Sequence, residues 1–270
     1  MRLAAGQVAV VTGAARGIGR ALCAALAGRG CDLALVDRDE AGLAETRALV
    51  ESAGRRASTH LADVGRRAEV ETLPEAVLES HGRLDLLVNN AGVSLAGPLE
   101  RLSPDDLEWI VGANLWGVVY GCRFFLPHLR RAREAHIVNM LSSFALIGFP
   151  TKSAYCATKF GARGFSEALR VELHGSAVGL TCVYPGPADT GLVREGRAWD
   201  DAKQKVEARF LRDRGIPLER IAARTLQGIE RNAARVFIGP ETYAVDLMTR
   251  VCPVLAGRLL ARFQGRFGFV

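Results

Sequence analysis

Gln7–Asp37 reads QVAVVTGAARGIGRALCAALAGRGCDLALVD. An apolar run, Gln7–Thr12, gives way to glycines at 13, 17 and 19. Ile18–Gly28 then has helical periodicity, and Asp32–Asp37 (DLALVD) reads as a second buried strand. In a strand, glycine turn, helix and strand of this kind, glycines let backbone amides at a helix N-terminus approach a pyrophosphate. The spacing is G-x-x-x-G-x-G rather than the commoner G-x-G-x-x-G, so the strand–turn–helix context carries the reading. Arg16 and Ile18 lie inside this turn. Asp37 ends the second strand, where a carboxylate can accept hydrogen bonds from a ribose hydroxyl and repel a 2′-phosphate, which favours NAD. Arg16 and Arg38 argue for NADP, since either can pair with that phosphate. The balance leans to NAD.

The same rhythm continues. Asp39–Ala53 predicts a charged amphipathic helix, Ala57–Leu61 a strand running into Asp63 and Val64, and Arg66–His81 another helix. Leu84–Val88 predicts a strand that enters Asn89-Asn90-Ala91-Gly92. Ser103 followed by Pro104 marks a helix start. That helix carries Asn114 among apolar residues, where an amide costs stability unless hydrogen-bonded. His136–Leu141, Gly179–Tyr184 and Arg235–Ile238 predict strands; Ala154–His174, Leu218–Asn232 and Pro240–Arg262 predict helices. Strands alternating with helices predict one α/β domain over residues 1–270, a doubly wound, Rossmann-like parallel sheet with helices on both faces. Such sheets bind ligands at the carboxyl ends of their strands, where every motif here falls. Residues 191–216 break the rhythm and are read as a substrate loop or lid. Residues 240–270 are read as a C-terminal helical extension.

Chemistry concentrates in Ser142–Lys159, SSFALIGFPTKSAYCATK. On a helix, Tyr155 and Lys159 share one face. A lysine cation favours the phenolate and is expected to lower the phenol's pKa from about 10. Such a tyrosine exchanges a proton with an alcohol or carbonyl oxygen. Ser142 is placed to hold the same oxygen.

Composition works by exclusion. Of the 35 basic residues 31 are Arg, dispersed among acids without an aromatic-interleaved basic block, so the +6 charge does not indicate nucleic acid. Six cysteines show neither C-x-x-C spacing nor a His cluster, indicating no metal site and no disulfide framework. The N-terminal apolar run is too short for a signal peptide, and no stretch approaches 18 uncharged apolar residues. A reduced, cytoplasmic location is expected.

These residues, in this order, resemble the short-chain dehydrogenase/reductase family. The resemblance rests on Thr12-Gly13-x-x-x-Gly17-x-Gly19, Asp63, Asn89-Asn90-Ala91-Gly92, Asn114, Ser142, Tyr155-x-x-x-Lys159 and Pro185-Gly186 with Thr190. It implies hydride transfer between a nicotinamide ring and a carbinol or carbonyl carbon. By the same resemblance Tyr155 is the acid/base, Lys159 depresses its pKa and holds the nicotinamide ribose, Ser142 orients the substrate oxygen, and Asn114 fixes a water linking Lys159 to solvent. Asp63 and Val64 are implied at the adenine, Asn90 at the adjoining ribose, and Thr190 with the Ala188 backbone at the carboxamide or phosphates. The family often uses the second serine of a Ser-Ser pair. Here Ser142 stands at the usual distance from Tyr155, and Ser143 is the alternative.

Val93–Leu95, Phe144–Pro150 and Leu192–Val193, with Trp199, are apolar and expected near the substrate, which leans the reading to a hydrophobic secondary alcohol or ketone. The alternative is that these residues are core. Small residues Ala157, Gly161, Gly164 and Ala168 permit close helix approach, and the resemblance implies a homodimer or homotetramer. The basic, apolar C-terminal helix is expected to pack on protein rather than on a membrane surface. The rival to an enzyme is a non-catalytic dinucleotide-binding regulatory or scaffold protein.

Overall fold

The computed structural model describes every residue except positions 264, 266, 267, 269 and 270, so those members of the expected 240–270 extension lie outside the described residues. β1 (Val8–Thr12) is buried throughout and turns into α1 (Gly17–Ala27). β2 (Asp32–Asp37) returns parallel to β1, with Val8 opposite Asp32 and Thr12 opposite Val36. α2 (Glu40–Ser52) begins on Asp39, whose side chain accepts the Gly42 N–H, and leads to β3 (Ala57–Leu61). The helix expected over 66–81 is two helices, α3 (Arg67–Glu71) and α4 (Leu73–His81). Pro74 lacks the N–H that a continuous helix would use there and instead sits in the first turn of α4.

β4 (Leu86–Asn89) and the two-residue β5 (Leu95–Ala96) come next. α5 (Pro104–Val111) passes through a π-helical turn, Gly112–Trp116, into α6 (Gly117–Leu129). β6 (Ala135–Met140), α7 (Ser153–Glu172) and β7 (Val178–Pro185) follow. The stretch 191–216 is mostly ordered structure: β8 (Arg197–Ala198), paired with β5, and α8 (Asp201–Arg214). Asp200 starts α8 by accepting the N–H groups of Ala202 and Lys203. After α9 (Leu218–Glu230) and β9 (Arg235–Ile238), the helix expected over 240–262 is broken into α10 (Pro240–Val251) and α11 (Pro253–Phe263). Pro253 again cannot donate the bond that would carry one helix through.

Seven strands form one parallel sheet in the order β3-β2-β1-β4-β6-β7-β9. Alternation along β1 puts Val8 and Val10 in a core shared with α4, α6 and α7, while Ala9 and Val11 join one shared with α1, α2 and α9. Both faces of the sheet are thus covered. Pro104–Leu129 is, among the described residues, the one helical stretch long and apolar enough to cross a membrane by length and composition. Glu108 and Arg123 keep its longest uncharged run below 18 residues. Its Val118, Cys122, Phe125 and Leu129 are buried in the core beside the sheet. Strand order reverses between β1 and β4, and the crevice at their carboxyl ends is where a ligand of such a sheet binds.

Candidate active site

A cavity of about 630 Å³ opens at these strand ends, a size suited to a small-molecule ligand. Gly13, Arg16, Gly17 and Ile18 line it beside Asp37 and Arg38, and Asp63, Val64, Asn90, Ala91 and Gly92 form the next stretch of wall. Ser142, Tyr155 and Lys159 share it with Pro185, Gly186, Ala188 and Thr190. Two expected residues do not line it. Gly19 lies beneath the turn, where a Cβ would stand 1.9 Å from the Gly13 carbonyl oxygen. Asn114 is fully buried behind the wall.

The glycine turn is held by residues around it. Gly13 takes φ +66, and a Cβ there would meet the Ala91 backbone at 2.8 Å, so only glycine fits. Thr12, on the last position of β1, ties the two loops at the reversal: its Oγ1 accepts the N–H groups of Asn90 and Ala91, both at 3.0 Å. Asn90 Nδ2 donates to the carbonyls of Thr12 and Gly13. Thr12 was not among the expected site residues, although it belongs to the motif that carried the resemblance. Asp37 is fixed by three backbone donors: Oδ2 accepts the Ala15 N–H at 3.0 Å, and Oδ1 accepts those of Arg38 and Asp39. Asp63 Oδ1 accepts the Gly65 N–H, and Thr190 Oγ1 accepts that of Leu192. Arg16 is ion-paired to Asp39 and Glu195, so in this state its guanidinium is engaged by carboxylates.

Tyr155 and Lys159 do converge. The ammonium lies 5.8 Å from the centre of the phenol ring and donates to the Met140 carbonyl at 3.2 Å. Ser142 stands close enough to the phenol to favour its ionised form, and its Oγ accepts the Phe144 N–H at 3.2 Å; Ser143 lines the same cavity. The expected lowering of the phenol pKa is not what the protein alone produces. Burial pushes Tyr155 up to about 12, against the smaller opposing effect of Ser142, and burial pushes Lys159 down to about 8. Burial shifts both groups toward their neutral forms, yet at pH 7 the phenol is neutral while the lysine, with its pKa at about 8, is still mostly cationic. Asn114 satisfies backbone: Oδ1 accepts the Val93 N–H at 2.7 Å, and Nδ2 donates to the Val93 carbonyl and to Thr158 Oγ1.

Of the apolar stretches expected around the substrate, Val93, Phe144, Leu192 and Val193 line the cavity. Leu95, Ala145 and Leu146 are core instead, and Trp199 stands off the cavity with the Arg101 guanidinium 5.7 Å from its ring. Trp109 lines the wall unforeseen, as do the buried, ion-paired Lys152 and Glu207.

A doubly wound parallel sheet with a glycine turn at its reversal is a nucleotide-binding architecture. The short chain dehydrogenase family model matches residues 7–201. SadH of Mycobacterium tuberculosis is 39% identical over 267 residues, 97% of this chain and 96% of that protein. A Burkholderia phymatum short-chain dehydrogenase/reductase, solved in complex with NAD, superposes with a TM-score of 0.89 at 31% identity, covering 94% of this chain and 96% of that one. A metagenomic short-chain oxidoreductase, solved in complex with NADP, gives 0.73 at 29% identity, over 88% and 98%. The chain belongs to the short-chain dehydrogenase/reductase family of oxidoreductases.

Proposed function

We propose that the protein interconverts a secondary alcohol and a ketone by hydride transfer, with NAD as cofactor and a hydrophobic substrate. The observation that carries this is the convergence of Ser142, Tyr155 and Lys159 in the crevice that also holds the glycine turn. The bound dinucleotide would supply the site that accepts or gives the hydride. Gly13, Gly17 and Ile18, with the backbone close and no side chain in the way, suit the pyrophosphate. Asp37 and Arg38 suit the adenosine ribose, Asp63 and Val64 the adenine, Asn90 to Gly92 the middle of the molecule, and Pro185, Gly186, Ala188 and Thr190 its nicotinamide end. The three N–H groups that fix the Asp37 carboxylate toward the cavity support NAD over a 2′-phosphate. The NAD and NADP complexes of relatives are compatible with either.

Tyr155 donates a proton to a carbonyl oxygen during reduction and takes one from an alcohol during oxidation, with Ser142 holding that oxygen. A phenol pushed to about 12 is protonated at neutral pH and therefore ready as a donor. To act as a base it needs positive charge in the crevice beyond that of Lys159, since the phenol stands at about 12 with that lysine already beside it. Asn114 is a positioning residue that holds the Val93 backbone and the Thr158 hydroxyl. Residues 191–216 serve as the lid, the chain acts as one domain, and the reading extends to a homodimer or homotetramer in a reducing compartment. The six cysteines are all free.

The test is turnover of matched alcohols and ketones with NAD and with NADP, read by absorbance of the reduced ring. Tyr155→Phe should lose at least about 10²–10⁴-fold in kcat/KM while still binding dinucleotide. Dinucleotide binding without turnover of any substrate would instead favour the regulatory or scaffold alternative.

A further inference from the structure

The lid helix α8 is almost wholly exposed, and its one buried residue is a charged one, Glu207. Glu207 Oε2 accepts a hydrogen bond from Lys152 Nζ at 2.8 Å, and the two side chains are only 10% and 3% exposed. Lys152 is the N-cap of α7, one turn before Tyr155. Thr151, just before it, takes φ +61, a left-handed conformation that strains a β-branched residue. The chain thus bears local strain next to a lysine turned inward.

Both charges line the same cavity as Ser142 and Tyr155, among apolar neighbours such as Phe144, Leu192 and Leu211. The Glu207 charge is felt at the Tyr155 phenol. A buried ion pair is weak as a stabiliser, because desolvation offsets most of the attraction. A purely hydrocarbon substrate would desolvate the pair further and give nothing back. A hydroxyl can do both things the pair asks, accepting from the ammonium and donating to the carboxylate.

Resting on the dehydrogenase reading above, we propose that Lys152 and Glu207 are specificity residues that select a substrate with a second hydroxyl a few carbons from the reacting carbinol. The spacing follows from one helical turn, which sets side-chain bases about 5–6 Å apart. The substrate is then an amphipathic diol or hydroxyketone, apolar along most of its length.

The test compares 2-octanol with 2,4-, 2,5- and 2,6-octanediol in the wild-type enzyme, in Glu207→Gln, and in the double variant Lys152→Met/Glu207→Leu. The double variant leaves no lone buried charge, so it keeps the test open if Glu207→Gln folds poorly; thermal melting and dinucleotide binding monitor folding. Hydrogen bonds to charged groups are worth about 1.5–3 kcal/mol, so the wild type should prefer at least one diol by about 10–100-fold in kcat/KM. Both variants should lose that preference, the diol rate falling 10-fold or more beyond any change with 2-octanol. An active wild type indifferent to the second hydroxyl overturns the proposal alone. So do variants that lose both substrates equally, which would make the pair a lid anchor. A wild type that binds dinucleotide yet turns over none of these alcohols, nor any other in the panel above, overturns the dehydrogenase reading as well.

Discussion

Lys159 shows what a buried cation costs the fold. Burial lowers it from 10.5 to about 8, so between those values the unfolded chain holds a proton that the folded chain has released. Stability therefore rises with pH across that window, and below it the buried ammonium costs up to about 3 kcal/mol. Lys159→Met removes that cost, less about 1 kcal/mol for the lost bond to the Met140 carbonyl. The variant is expected to melt above wild type at neutral pH, with the gap closing toward pH 10, and to lose turnover. Thermal melts across this range check it; a variant that melts lower at neutral pH contradicts the burial argument. Asp37 is the other residue where one charge decides an outcome. Asp37→Ser removes the carboxylate and leaves Arg38 on the same wall, so the NAD-to-NADP ratio of kcat/KM should fall at least about tenfold. Initial rates with the two cofactors measure it.

Among the elements, the glycine turn was legible because its demands are local. Glycines at 13, 17 and 19 beside two apolar runs leave few other folds for that stretch. Gly19→Ala places a methyl 1.9 Å from the Gly13 oxygen and 2.8 Å from Asn90 Nδ2. It should lower stability by about 1–3 kcal/mol or more and weaken dinucleotide binding at least tenfold, measured by melting and by titration with NAD. The strands of the sheet and the Tyr155/Lys159 convergence were equally readable, since each follows from a period of two or of 3.6. What escaped depends on contacts between distant segments. The π-turn at Gly112–Trp116 brings Asn114 against Val93, a partner 21 residues away. Lys152 finds Glu207 55 residues on. Neither pairing leaves a periodic trace. The raised phenol pKa escaped for another reason: a sequence shows the neighbouring cation but not the loss of water, which is the largest effect here. Pro74 and Pro253 were visible, and the helices they interrupt were read through them.

At the scale of the molecule, the outer faces of α6 and α7 are the surfaces on which the proposed homo-oligomer would form. On α7, Ala157, Phe160, Gly164, Ala168 and Val171 recur at helical spacing, and Phe160 and Val171 are 41% and 76% exposed. On the neighbouring helix, Trp116 stacks on Tyr120 at 5.5 Å and is 46% exposed. An apolar stripe of this length on a free monomer is costly in water, and small residues in its middle let a second helix come close. Gly161 is already used inside the chain, where a Cβ would lie 3.3 Å from Leu115, but a Cβ at Gly164 would meet nothing within 4 Å. Gly164→Arg should therefore leave the fold intact and even favour the helix by up to about 1 kcal/mol. Set against a second copy, the same side chain brings bulk and a charge that an apolar contact cannot solvate. Light scattering should give a mass of two or four chains for the wild type and one chain for Gly164→Arg, with circular dichroism unchanged. A wild type already at the mass of one chain removes the homo-oligomer, and an undiminished mass in Gly164→Arg moves the contact to another face.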